Sequence, residues 1–342
     1  MSEERWVFVA PIDGLTMTKA VNFEINVDGI VFVSSSRLPR IRKRLGFPRV
    51  LSNYPIIRHR HDFFECAETF AVFQVRNDPK AAILASLNKV HDALLLLGSS
   101  QLGYTKRKLA CRPRLHRIAG DCMLRVGFFH ASSNAWSQRD WRLGSPMPLV
   151  LDQTWLRYHR RLYFMKLLEL LDTRSRIAID WRGRLRRASL LIGRSQDSMH
   201  MGQAFLWNMI AIETLLFKQD NEIRPKEVLP KRIEAMLGWV GFWEDEDYSS
   251  KIKNAYGKRC TMVHEGNLDC ISREDVHFSD MLVFNLMNNL VRHSRVFGNI
   301  DAVIRFSKEV EAERTLKVRP RVQPKTLEFI HKRFDENSFL EI

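Results

Sequence analysis

Apolar and polar positions alternate over short runs in the first 150 residues, which is the period of a half-buried β-strand. In the run over residues 21–35, Asp28 and Gly29 are typical turn residues and separate two predicted strands. One helix lies among the strands, with Asp78 suited to its N-cap, Pro79 to its first turn and Gly98 to its end. The strand-like runs are RWVFVAPI (5–12), VNFEINVDGIVFVSS (21–35), ETFAVFQVRN (68–77) and DCMLRVGFFHA (121–131).

Beyond this half, apolar positions recur every three or four residues, which indicates amphipathic helices. A stretch rich in Ser, Gly and Pro (132–153) separates the two halves. Thr154 and Ser272 are suited to N-caps, and Asp197 or Ser198 is suited to a third. The predicted helices cover residues 154–172, 174–195, 197–220, 230–242, 249–266 and 272–298.

The order of elements predicts an α+β protein. A mixed α/β domain over residues 1–150 is followed by an all-α bundle over 151–300, and a looser tail with a short helix completes the chain over 301–342. A hydrophobic fraction of 45% in 342 residues is sufficient for a sizeable core.

Composition excludes several classes of protein. No apolar run approaches the roughly 20 residues that cross a bilayer, and the N-terminus carries acids where a secretory signal carries bases. Five scattered cysteines form no C-x-x-C pair, which argues against a zinc ribbon or a disulfide framework. We expect a cytoplasmic protein with reduced thiols, no membrane association and no metal or other cofactor.

The net charge of +15 changes the expected partners. A clustered basic surplus attracts phosphate backbones, and such binding weakens steeply with salt. Two clusters, RLPRIRKRLGFPR (37–49) and KRKLACRPRLHR (106–117), lie in the first domain, and RGRLRR (182–187) lies on a predicted helix. A single charge run is usually a solvated face, but three runs together favour a phosphate-binding surface.

The stretch AYGKRCTMVHEGN (255–267) places Arg259 and His264 five positions apart at the end of a predicted helix. Tyr256 precedes Arg259 by one turn, and Gly266 is a natural helix stop. On an ideal helix the two side chains stand about 140° apart. They therefore share a site only if the helix ends near His264 or if a second copy supplies the partner residue.

Two other Arg–His pairs have the same or nearly the same spacing. Arg125 and His130 lie in a strand-like run, where five positions place the side chains on opposite faces. Arg194 and His200 span a predicted break between helices. Context therefore favours the pair at Arg259.

The segment YGKRCTMVHEG resembles the signature of HEPN domains of the Apea-like group, Tyr-x-x-Arg-x4-His-Gly. The order of elements over residues 155–300 is also similar, with RLRRASLLIGRS as the first long helix and FLWNMIAIETLL, which contains Glu213, as the second. Cys260 stands where many members have Asn, Asp or His, and Glu265 separates the motif histidine from the glycine.

The resemblance implies a metal-independent endoribonuclease of prokaryotic defence or toxin type, with a paired site across a homodimer. The residues fit that chemistry, because RNA carries its own 2′-OH nucleophile. His264 is suited to general acid–base catalysis and the planar guanidinium of Arg259 to phosphate. The N-terminal domain would then bind a trigger or regulator.

Further residues take supporting parts in this hypothesis. Glu213 in an apolar helix face needs a partner, and pairing with Arg259 supplies one. Tyr256 and Cys260 flank the motif arginine and are predicted to support it. The residues predicted to bind RNA are Arg182, Arg184, Arg186, Arg187 and Lys258.

Other interpretations stay open at this point. His264 on a helix end could bind the last free carbonyls of that helix instead of substrate. The bundle could be a non-catalytic HEPN-like dimerisation module that binds RNA or a nucleotide without cutting it. A transcription regulator that binds DNA is a third possibility, although no helix-turn-helix signature stands out.

Overall fold

A computed structural model of the chain describes residues 6–44, 67–75, 79–107, 110–116, 123–129, 136–142, 148–218, 225–237, 248–268, 270–318 and 327–330. It confirms an α+β fold, with an antiparallel sheet in the N-terminal part and helices in the C-terminal part. The chain divides into two compact units. The first contains residues 1–26, 30–91 and 109–152, and the second contains 27–29, 92–108 and 153–342.

The first unit is built on a five-stranded sheet in the order β3-β4-β5-β1-β6. Its strands are β1 (Trp6–Asp13), β3 (Glu24–Val27), β4 (Ile30–Ser34), β5 (Thr69–Val75) and β6 (Arg114–Leu115). β1 pairs antiparallel with β5 and β6, and β4 pairs antiparallel with β5. Asp28 and Gly29 have positive φ angles of 51° and 78° between β3 and β4, so the predicted turn is confirmed.

Shorter elements complete this part of the chain. β2 (Leu15–Met17) pairs parallel with β9 (Leu149–Leu151), and β7 (Met123–Phe129) pairs antiparallel with β8 (Trp136–Arg142). Helix α1 spans Leu38–Arg44. The core of the sheet contains fully buried Val33, Phe70 and Val72. Five consecutive residues of β5, from Thr69 to Phe73, are buried, so this strand is covered on both faces.

Helix α2 spans Pro79–Ser99, close to the predicted limits, and Asp78 lies outside the described residues. The second unit is otherwise helical. Its helices are α3 (Gln153–Arg161), α4 (Phe164–Leu171), α5 (Ile179–Asp197), α6 (Met201–Leu216), α7 (Pro225–Leu237), α8 (Tyr248–Glu265), α9 (Arg273–Arg292) and α10 (Ile300–Thr315). α6 packs against α5, α8 and α9, and α10 packs against α7.

Two details of these helices differ from the sequence prediction, and a third agrees with it. The single helix predicted over 154–172 is two helices, and Tyr163 between them keeps near-helical angles (φ −84°, ψ −26°), so the apolar period shows no break. His200, not Asp197 or Ser198, is the N-cap residue of α6. The predicted capping residue Ser272 is confirmed, because Ser272 and Asp275 form a reciprocal capping box at the start of α9.

The region after residue 300 also differs. α10 is a full helix whose N-cap side chain, Asn299, accepts from the N–H of Ala302 at 2.8 Å. Its buried positions include Ile300, Val303 and Phe306, but frequent charged residues between them conceal the apolar stripe in the sequence. Of the helix predicted at 325–337, the structure describes residues 327–330, which are not helical.

A buried ion pair joins the middle of the bundle. Arg107 donates to Asp280 on α9 through Nη2 at 2.5 Å and through Nε at 3.1 Å, with side chains 9% and 6% exposed. Asn208 of α6 donates to the same carboxylate at 2.7 Å. Arg107 also reaches the hydroxyl of Ser195 on α5 at 3.0 Å. These contacts fix α5, α6 and α9 to one another.

His159 makes the unfolding of this bundle depend on pH. The imidazole is 2% exposed among aromatic rings, including Trp155 at 4.5 Å, and burial lowers its pKa from 6.5 to about 3. Between pH 6.5 and about pH 3 the unfolded chain binds a proton at this histidine that the folded chain does not. The contribution of His159 to the free energy of unfolding is therefore fully present above pH 6.5 and is lost as the pH falls toward 3. Relative to His159→Phe, the wild-type free energy of unfolding should fall by up to about 1.4 kcal/mol per pH unit in this window. Urea titrations across pH 3–7 measure this, and parallel curves would contradict it.

A matched pair of glycines on α5 tests the packing of the bundle. A Cβ on Gly193 would lie 2.1 Å from the carbonyl oxygen of Leu95, whereas one on exposed Gly183 would meet nothing within 4 Å. Gly193→Ala should destabilise the protein by about 1–3 kcal/mol through overpacking. Gly183→Ala should stabilise it by about 0.5–1 kcal/mol through helix propensity. Thermal unfolding of both variants measures the difference, and equal shifts would count against this packing.

Candidate active site

Helix α8 carries the Arg-x4-His motif and ends where the sequence predicts. It spans Tyr248–Glu265, and Gly266 follows with a positive φ of 69°. The N–H of Gly266 donates to the carbonyl of Met262 at 3.0 Å. A left-handed residue at this place terminates a helix and favours glycine. The predicted helix stop at Gly266 is therefore confirmed.

Arg259 is held against Glu213 of α6. Its Nη2 donates to Glu213 Oε2 at 2.9 Å. Its Nε lies 2.8 Å from Oε1 as an ion contact without hydrogen-bond geometry. The two side chains are 20% and 19% exposed, so solvent screens the pair only partly. The structure thus contains the pair that the sequence analysis predicts.

This pairing leaves one edge of the guanidinium available. Within the described residues, Nη1 of Arg259 forms no hydrogen bond. An arginine has five N–H donors in a rigid fork, so the Nη1 edge can still donate to an anionic oxygen while the Nε edge is held by Glu213. Burial raises the pKa of Glu213, and the charge of Arg259 opposes that rise.

Tyr256 lies beside the same guanidinium. Its ring centroid is 5.8 Å from Cζ of Arg259, within the range of a cation–π contact. Burial is the main cause that raises the pKa of Tyr256. Of the two residues predicted to support Arg259, Tyr256 thus contacts its guanidinium, and Cys260 lies half-buried on the same helix.

His264 stands apart from Arg259. It is exposed in the last turn of α8 and forms no hydrogen bond within the described residues, so it does not bind the terminal carbonyls there. Because α8 continues through Glu265, His264 lies about 140° around the helix from Arg259 and about 7.5 Å along it. No hydrogen bond or ion pair joins the two side chains within the described residues.

Lys258 is engaged within the subunit. Its Nζ lies 2.6 Å and 2.8 Å from the two carboxylate oxygens of Asp275 in the capping box of α9. The ion pair ties α8 to the first turn of α9, with the side chains 29% and 14% exposed. RNA binding by Lys258 would have to share or replace this contact.

Three of the four predicted RNA-binding arginines of α5 also contact the protein itself. Arg184 donates through Nη1 to the carbonyls of Thr214 at 3.0 Å and Phe217 at 2.9 Å, which satisfies the C-terminal end of α6. Arg182 donates to the carbonyls of residues 172 and 173 at 3.2 Å.

Arg186 is neutralised within the second unit. It lies 2.8 Å from the carboxylate of Asp28 and 3.0 Å from that of Asp92. Arg187 is exposed and has no ion pair within the described residues. Of these arginines, Arg187 is thus the one with its charge available to an external phosphate without rearrangement.

Three arginines on α3 were not predicted as a site. Arg157, Arg160 and Arg161 are exposed and have no ion pair or hydrogen bond in the part of the chain that the structure describes. Spacings of three and four residues place them within an arc of about 100° on one helix face. The signal was present in the sequence RYHRR, but the longer basic runs concealed it.

Of the two rival Arg–His pairs, the structure describes both members of one. Arg194 is exposed and its Cζ lies 5.4 Å from the ring of Trp207, while His200 precedes α6. Arg125 lies in β7, and His130 lies outside the described residues.

Three general findings complete the description of the site. Among the described residues, no group of three or more His, Cys, Asp or Glu side chains is placed to hold a metal ion. None of the helices that the structure describes is both long enough and apolar enough to cross a bilayer. Comparisons with protein-family models, with curated proteins and with solved structures find no match.

The Glu213–Arg259 pair should show strong coupling in a double-mutant cycle. Glu213→Gln and Arg259→Gln, alone and together, should give a coupling energy of about 1–3 kcal/mol, because the contacts are charge-assisted and largely buried. The exposed pair Lys166–Glu169, at 2.8 Å, serves as the control and should give less than about 0.5 kcal/mol. Urea unfolding measures both coupling energies. Equal coupling energies for the two pairs would contradict the prediction that Glu213 stabilises Arg259 more than an exposed ion pair does.

Proposed function

We propose that the protein is a metal-independent endoribonuclease that acts as a homodimer. The observation that carries this proposal is the state of two side chains on α8. Arg259 keeps one edge of its guanidinium available as a donor, and His264 is exposed without a partner in the described residues. As parts of the same proposal, the protein is cytoplasmic and of prokaryotic defence or toxin type. Its N-terminal domain responds to a trigger or regulator.

The reaction needs two proton transfers. His264 of one subunit accepts the proton of the 2′-OH, and the 2′-oxygen forms a bond to phosphorus. The bond from phosphorus to the 5′-oxygen breaks, and His264 of the partner subunit donates a proton to that leaving oxygen. The two Arg259 side chains stabilise the negative charge that develops on the phosphoryl oxygens. The products are a 2′,3′-cyclic phosphate and a 5′-hydroxyl.

The angular separation on α8 supports a two-subunit site. A C2 dimer with the ends of two α8 helices in one cleft places the Arg259 of each chain near the His264 of the other. Glu213 would act as a positioning residue, because it holds the Nε edge and leaves the Nη1 edge for phosphate.

The distribution of free charge supports a polyanionic substrate. The net charge of the chain is +15. Within the described residues, Arg187 and the three arginines of α3 form no ion pair. Counterion release at such a surface contributes affinity without sequence preference. The remaining predicted RNA-binding residues, Arg182, Arg184, Arg186 and Lys258, would contribute only after exchange of their present contacts.

Cleavage of mixed RNA by the full chain in EDTA tests the proposal. His264→Ala and Arg259→Ala should each lower the rate by at least about 100-fold, because each removes a group that acts on the transition state. The rival pair supplies matched controls, and His200→Ala and Arg194→Ala should retain the wild-type rate. Product ends should be 2′,3′-cyclic phosphate and 5′-hydroxyl, and RNA with 2′-O-methyl groups should resist cleavage.

The same experiment separates the alternatives. Specific activity should fall on dilution if two subunits form the site. If the wild type binds RNA and does not cleave it, the endoribonuclease hypothesis is wrong and the protein is a non-catalytic binding module. A preference for duplex DNA over RNA at equal salt would instead favour a DNA-binding regulator.

A further inference from the structure

An extended segment near the C-terminus lies against α9 through its main chain. Asn289 donates through Nδ2 to the carbonyl of Glu328 at 3.0 Å and accepts from the N–H of Glu328 at 3.1 Å. Asn285 does the same with Ile330, at 3.3 Å and 2.7 Å. Each asparagine side chain therefore pairs with both main-chain groups of one residue.

The spacing of this arrangement follows from helix and strand geometry. Four residues along an α-helix rise about 6.0 Å, and two residues of an extended chain rise about 6.6 Å. Asparagines at i and i+4 therefore match alternate residues of an extended peptide. The main-chain groups of Glu328 and Ile330 point toward α9 as those of a strand point toward its neighbour.

Each of the two asparagine side chains also donates to a main-chain carbonyl of the helices. The Nδ2 of Asn285 also donates to the carbonyl of Met281, and that of Asn289 to the carbonyl of Met236, both at 2.9 Å. The side chains are 0% and 1% exposed. A buried amide without partners is costly, so these two positions need the polar groups of a neighbouring main chain.

One side-chain contact adds selectivity to the main-chain pairing. Arg292, one turn after Asn288 on α9, lies 2.8 Å from the carboxylate of Glu328. Main-chain pairing accepts many sequences in extended form, whereas this ion pair favours an acid at the position that pairs with Asn289.

We propose that Asn285, Asn289 and Arg292 form a peptide-binding site for an extended segment that carries one carboxylate, and that residues 327–330 of the same chain occupy it. The site recognises main-chain N–H and C=O groups at two alternate residues and a carboxylate at the first of them. It accepts the same segment when that segment is supplied as a separate peptide. This binding is independent of the proposed RNA cleavage.

The experiment uses the full chain with Glu328→Pro and Ile330→Pro, which removes the two N–H donors and weakens the internal occupant. A fluorescein-labelled peptide of residues 325–332 (KTLEFIHK) is added, and anisotropy measures its binding. The peptide should bind this variant at least about tenfold more tightly than the wild type, where the internal segment competes. N-methylation of the peptide at the positions of Glu328 and Ile330 should weaken binding by at least about tenfold.

A neighbouring asparagine provides the matched control. Asn288 is 0% exposed on the same helix, and its amide has no hydrogen-bond partner in the described residues. In the proline variant, Asn285→Ala or Asn289→Ala should weaken peptide binding by at least about tenfold, and Asn288→Ala should leave it within about twofold. A folded proline variant that does not bind the peptide would overturn the proposal, as would binding that is insensitive to N-methylation.

Hydrogen exchange on the wild-type chain keeps the test decisive if the proline variant does not fold. The amides of Glu328 and Ile330 should exchange slowly in the wild type and at least about tenfold faster in Asn285→Ala and Asn289→Ala. Asn288→Ala should not accelerate them. Exchange of both amides at unstructured rates in the wild type would overturn the proposed site.

Discussion

The buried carboxylate of Asp280 is the constraint on which the second unit depends. A carboxylate whose side chain is 6% exposed requires compensation, because an isolated buried charge is far less stable than a hydrated one. Arg107 supplies the opposite charge, and Asn208 supplies a further hydrogen bond. The geometry that satisfies Asp280 therefore also determines how α6 and α9 lie against each other.

This fixed pair of helices is the frame to which α8 is attached. α6 presents Glu213 to Arg259, and α9 presents Asp275 to Lys258. Two ion pairs with adjacent residues of α8 thus reach two different helices, which limits rotation of α8 about its own axis. Within the part of the chain that the structure describes, the end of the helix has no such ion pair, and His264 lies there. The two ion pairs therefore hold Arg259 in place and leave the imidazole of His264 exposed on the same helix.

Sequence reasoning predicted the features that depend on local chemistry. The turn at Asp28 and Gly29 and the end of α8 at Gly266 each need a positive φ, which few residue types accept. It did not predict the break at Tyr163, because near-helical angles preserve the apolar period there. Nor did it predict which arginines have internal partners, because that depends on residues far along the chain, as in the pair of Arg186 with Asp28.

The buried polar side chains of α9 explain why its partners could not be inferred from periodicity. Asp280, Asn285 and Asn289 occupy positions where leucine would fit an apolar core, and a helix with leucine there would accept many neighbours. A polar side chain accepts only a neighbour that presents matching groups, and each of these three finds its match in a distant segment. We infer that these residues contribute more to the choice of neighbours than to net stability. Hydrophobic pattern predicts that α9 is buried, but hydrogen-bonding capacity determines what buries it.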